Sequence, residues 1–222
     1  MTSSRLEART PDGVTSHVAA SPHFFAGFNG YWLFGSDGRV YPEGGAQFLG
    51  DLGGKSLDAP IVGGSSDATG DGYYEVGSDG GVFAFGGAPY EGSTGGLKLN
   101  SPIVGMAATP DGKGYWLVGA GGGIFAFGDA AFKGSLPGQA INIGDSAVGI
   151  ATTGDGGGYW IADQAGTVYP FGDAVTYSGP SVGDNDDIVG IVATPDSKGY
   201  WLFGAFGDVY PYGDAATYPF SG

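Results

Sequence analysis

Two glutamates stand where the pattern around them calls for something else. Glu43 takes a position held elsewhere by Phe85, Phe127, Phe171 and Tyr212, and Glu75 one held by Leu33, Leu117, Ile161 and Leu202. A buried, unpaired carboxylate is expensive, so each is expected to reach solvent, a partner or a ligand. Face to face, the pair could act as a glycosidase acid and base, hold a cation or bind sugar hydroxyls. Pointing apart, they are strand-end residues, hydrated or paired with Arg39. Three aspartates, Asp129, Asp173 and Asp214, recur at one point of a repeated pattern. Asp in such a place either caps its own turn or offers one polar contact per repeat. Gly45 and Gly87 fill that place in the first two copies, so at most three such contacts exist.

Other chemistry has little to draw on. The chain has two histidines, His17 and His23, both outside the repeats and neither near a nucleophile-elbow sequence, which gives a Ser/His/Asp arrangement little to work with; with no cysteine they also leave too few ligands for a zinc site. Asp184-Asn185-Asp186-Asp187 has the density of a Ca²⁺ loop but lacks its Gly and distal Glu, and reads as a solvated acidic loop. No cofactor is expected, with Ca²⁺ kept as an alternative.

The elements that must position these residues come from an internal repeat. Gly followed by an aromatic pair recurs with its first aromatic at Tyr31, Tyr73, Tyr115, Tyr159 and Tyr200, at steps of 42, 42, 44 and 41 residues. The pairs Gly44-Gly45, Gly86-Gly87, Gly128-Asp129, Gly172-Asp173 and Gly213-Asp214 keep the same phase. The third unit reads as four strands: 103–108, 115–118, 124–127 and a short one around Ala131-Phe132-Lys133-Gly134. Thr109-Pro110-Asp111-Gly112 closes the first of these, and Gly121-Gly122 makes a two-residue hairpin after the second. Units of about 42 residues and four antiparallel strands predict an all-β fold, a five-bladed β-propeller. Both faces of each blade are then buried, which suits apolar runs such as Tyr115 to Val118. A two-residue turn at Asp37-Gly38 would pair Trp32 with Glu43. Glu43 and Glu75 would then either meet across the gap between the first two blades or point away from it.

Residues 1–29 are expected to supply the inner strand of the first blade, around Val18 to Pro22, with an insertion. Residues 30–222 complete a single domain. Gly and Pro number 48 and 13 in 222 residues, but 14% aromatic and 41% hydrophobic content supports a core. The net charge of −15 argues against a nucleic-acid partner, since counterion release needs a basic patch. No apolar stretch approaches 18 residues, so no membrane-inserted helix is expected. The N-terminus does not read as a charged-then-apolar leader, so any secretion signal is expected to be missing or already removed.

The runs Gly114 to Gly119, Gly123 to Ala130 and Ala107 to Gly112 resemble a repeat found in secreted actinobacterial proteins of mostly unassigned function. That resemblance covers about residues 30–222. In layout the chain is also similar to the tachylectin-type five-bladed lectins, although their sugar-site motifs find no residue-by-residue match here. These resemblances imply a secreted or cell-surface location and a carbohydrate-binding module with repeated interblade or loop sites. Its partner would be a glycan or cell-surface polysaccharide, and its state a monomer or weak oligomer. Glu43, Glu75, Asp129, Asp173 and Asp214 are the candidate ligand contacts. The alternatives are a scaffold ring that binds proteins and a glycoside hydrolase built on a carboxylate pair; near-identical units favour the non-enzymatic readings.

Overall fold

Short aromatic runs separated by Gly turns give, among the described residues, fourteen strands in five antiparallel sheets. The computed structural model describes residues 30–144, 146–183 and 186–216. The first sheet pairs β1 (Gly30–Phe34) with β2 (Val40–Gly44). The second holds β3 (Ile61–Ser66), β4 (Gly72–Gly77) and β5 (Val82–Gly86). The third holds β6 (Ile103–Ala108), β7 (Gly114–Gly119) and β8 (Ile124–Gly128). The fourth holds β9 (Ala147–Thr152), β10 (Gly158–Asp163) and β11 (Val168–Gly172). The fifth holds β12 (Ile188–Ala193), β13 (Gly199–Gly204) and β14 (Val209–Gly213). Among the described residues the one helical element is a 3-10 turn, Pro137–Gln139. The region expected to hold the inner strand of the first unit lies outside the described residues, as does the end of the chain from 217.

Two expectations need correction. The hairpins turn on three residues, not two. Gly35 N–H donates to Arg39 O (2.8 Å) and Gly38 N–H to Gly35 O (2.9 Å), so residues 36–38 make the loop. Gly38, at φ 75°, supplies the left-handed residue that such a loop requires. The extra residue shifts the register by one, which turns every side chain to the other face. Tyr31 therefore pairs with Glu43, and Trp32 with Pro42.

The second correction concerns strand number. Full sheets have three strands, and 131–134 is not a fourth. Side chains satisfy its backbone instead. Trp116 Nε1 donates to Ala131 O (3.0 Å), Tyr159 of the next sheet donates its hydroxyl to Gly134 O (2.6 Å), and Lys133 N–H donates to that hydroxyl (3.2 Å). Tyr73 clasps Leu49 and Gly50 in the same way, and Tyr115 clasps Glu91 and Gly92.

Successive sheets stack unlike faces. The Tyr that opens each second strand lies against the aromatic one place further along in the preceding sheet. The pairs are Trp32–Tyr73, Tyr74–Tyr115, Trp116–Tyr159 and Trp160–Tyr200, with ring centroids 5.1–5.8 Å apart. The apolar core is thus divided into four layers, one per join. β4, β7 and β10 are buried along their whole length, as strands covered on both faces must be. The first strands β3, β6, β9 and β12 run side by side. Small residues allow this: a Cβ at Gly105 would already lie 3.6 Å from Gly149 Cα.

Candidate functional site

The join between the fourth and fifth sheets opens outward as a cleft of about 340 Å³. One wall is the turn between β9 and β10, Thr153 to Asp155, with Asp173 just after β11. The other is the equivalent turn of the fifth sheet, Pro195 to Ser197. Trp160 and Tyr177 form the floor. The Thr153 hydroxyl organises the acidic wall. It accepts the Gly158 N–H (2.9 Å) and lies 2.9 Å from Asp155 Oδ1 and 3.2 Å from Asp173 Oδ1. The Gly157 N–H and then the Thr153 hydroxyl hold the Asp155 carboxyl below the usual range, so it is ionised at neutral pH.

The same turn in neighbouring repeats carries a cation that this one lacks. Lys113 Nζ lies 3.1 Å from Asp111 Oδ2, and Lys198 Nζ 3.1 Å from Asp196 Oδ2. Each lysine holds its aspartate at about 2. Asp129 and Asp214 further raise the ammonium pKa of Lys113 and Lys198 respectively. At the equivalent position the fourth repeat has Gly157, and a Cβ there would overlap the Asp173 carboxylate. Asp155 and Asp173 thus share a wall without the lysine that their counterparts have.

The facing wall is also unusual. Ser197 adopts φ 60° where the other turns place Gly70, Gly112 and Gly156. A non-Gly residue in this region carries strain. Ser197 is held by the Gly154 N–H donating to its hydroxyl (2.6 Å) and by the Tyr177 hydroxyl donating to its carbonyl (2.7 Å).

No protein-family model matches this chain, and no curated protein matches it. Among solved structures, a chain in the crystal structure of a mitotic checkpoint complex is similar, with a TM-score of 0.58 at 11% identity. The match covers 94% of this chain and 67% of that one. At such identity the likeness bears on the fold alone.

The five residues singled out from sequence do not share one place. Asp173 lines the cleft, while Asp129 and Asp214 stand beside lysines. Glu43 and Glu75 are on different sides of the first sheet. Glu43 shares the Tyr31 face and is exposed, whereas Glu75 shares the Tyr73 face, which packs on Trp32 and Phe34. The two carboxylates point apart. Glu75 is neither at an exposed strand end nor paired with Arg39: it is 0% exposed and makes no hydrogen bond to the described residues, and Arg39 pairs with Asp37.

Among the described residues, no three His, Cys, Asp or Glu side chains gather to hold a metal ion. Of the acidic run at 184–187, the first two residues lie outside the described set. Asp186 is buried, accepting the Tyr210 hydroxyl (2.8 Å) and the Phe206 N–H (3.3 Å). No helix among the described residues is long and apolar enough to cross a membrane. Thr153, Asp155, Tyr177 and Ser197 were not singled out from sequence. Their signal was the fourth turn, Thr153-Gly154-Asp155-Gly156-Gly157, beside Thr109-Pro110-Asp111-Gly112-Lys113.

Proposed function

We infer that the chain is a five-bladed β-propeller acting as an extracellular carbohydrate-binding module, with its principal site in the cleft between the fourth and fifth sheets. One observation carries the reading: Asp155 and Asp173 present carboxylates in an open cleft where the sister turns present a carboxylate–lysine pair. Oriented carboxylates in a concave site accept hydrogen bonds from sugar hydroxyls, and the missing lysine leaves room for an ammonium group such as that of an amino sugar. The five-bladed reading is supported by five sheets with one repeated join and by first strands lying side by side. Asp129 and Asp214, with lysines beside them, become structural, which narrows the expected repeated sites to the fourth unit. Secretion or surface display and a glycan partner belong to this reading.

The test is a glycan array probed with the purified chain, with Ca²⁺ and with EDTA, followed by calorimetry. Binding that Asp173→Asn removes, in either buffer, supports the cleft. A blank array sinks it and leaves the protein-interaction ring. A separate observation favours that second reading: Phe48, Tyr90 and Phe132 stand exposed at equivalent places in three successive units.

A further inference from the structure

Glu75 lies outside the cleft and, among the described residues, makes no ion pair or hydrogen bond. Its position belongs to Leu33, Leu117, Ile161 and Leu202 in the other units. It projects from β4 into the layer between the first and second sheets, opposite Gly64, on the face that meets Trp32 and Phe34. Both carboxyl oxygens are buried without a partner, and so is the Ser66 hydroxyl two residues beyond Gly64 on the same face. The ionisable groups around it come from several elements. Asp37 belongs to the first hairpin, where it is engaged with Arg39. Asp51 and Lys55 belong to the link that follows, and Tyr73 to β4 itself. Two of these are carboxylates, set against the Lys55 ammonium and the Arg39 guanidinium that engages Asp37, so burial first, and then Asp51 and Asp37, oppose the charged form of Glu75.

We propose that Glu75 is a proton-held latch: while its carboxyl is protonated the first sheet stays packed on the second, and loss of that proton releases it. The step is an exchange of one proton with water, with no bond formed or broken elsewhere. Burial, then Asp51 and Asp37, push the folded carboxyl from 4.5 up to about 8, against a smaller opposing pull from Lys55. With its pKa raised in the packed state, Glu75 favours packing fully below 4.5 and loses that contribution as pH rises towards 8. Opening therefore becomes easier by about tenfold per pH unit through this window, then levels off. The first sheet is the natural element to release, because the layer built on Trp32, Phe34 and Val40 that joins it to the second is the one Glu75 enters.

Backbone hydrogen exchange over residues 30–44, each rate divided by its intrinsic rate at that pH, reads this opening. Residues 158–172 serve as the internal control, since Ile161 stands there in place of the glutamate. The expected result is an opening constant that climbs about tenfold per pH unit from about pH 5 to 8 in the first sheet alone. Glu75→Gln and Glu75→Leu should both flatten it. A flat wild-type profile overturns the latch, as does a slope that survives in Glu75→Gln or appears equally in 158–172. Should neither variant fold, the wild-type slope and its confinement to 30–44 decide.

Discussion

The carboxylate of Asp173 stands in the space that a side chain at Gly157 would fill. In the third and fifth units a lysine holds that position and pairs with the aspartate of its own turn. One missing side chain thus separates a closed, charge-balanced turn from an acidic wall facing a cleft.

Putting the lysine back should close the site. Gly157 lies outside the left-handed region, and only the end of the Asp173 side chain stands in the way, so Gly157→Lys should fold normally. Calorimetry with a glycan found on the array should show at least a tenfold loss of affinity, with the melting temperature within a few degrees of wild type.

The tyrosine clasp makes a stability prediction. Tyr159→Phe keeps the ring against Trp116 but removes bonds to Gly134 O and from Lys133 N–H, leaving two half-buried main-chain groups without that partner. Denaturant unfolding should show a loss of about 1 kcal/mol. Phe132 beside it, already exposed, should tolerate Ser with little change.

The clasp also marks where the sequence stopped being legible. Repeat length, the second and third strands and the continuous burial of Tyr115 to Val118 were all readable, because period and apolar runs depend on local residues alone. The fourth strand was not, since what holds 131–134 is a tyrosine about 26 residues further on. The Glu43 register failed for a smaller reason: Asp37-Gly38 looks the same in a two-residue and a three-residue loop, and only the Gly35 to Arg39 bond distinguishes them. Asp173 could be named as a candidate from its recurrence. That it differs from Asp129 and Asp214 follows from Gly157, a position whose meaning appears only when the turns are superposed.

Glu75 contributes to the pH dependence of stability through the packing of the first sheet. Its carboxyl is protonated in the folded state up to about pH 8 and ionised in the unfolded chain above 4.5, so the wild type loses stability as pH rises between these values. Glu75→Leu removes the penalty. At pH 7 the variant should be more stable by roughly 3 kcal/mol, and the difference should shrink as pH falls towards 4.5. Denaturant curves at a series of pH values measure both.

Ser197 offers a test of strain against hydrogen bonding. Ser197→Gly relieves the positive φ and gives up the bond from Gly154, so the two effects offset to within about 1 kcal/mol. Ser197→Val keeps the strain, adds a β-branch and loses the bond, so thermal melts should show it the less stable of the two by about 2 kcal/mol.

Each of the four described joins is made by the same handshake, a tyrosine laid on the aromatic of the sheet before it. Such a molecule has interchangeable parts. With the third unit lifted out, Tyr159 would meet Tyr74 in place of Trp116, a smaller aromatic at the equivalent position of the join. The number of units is then free to change by duplication or loss, while a peculiarity confined to one unit, such as Gly157 or Glu75, travels with it intact.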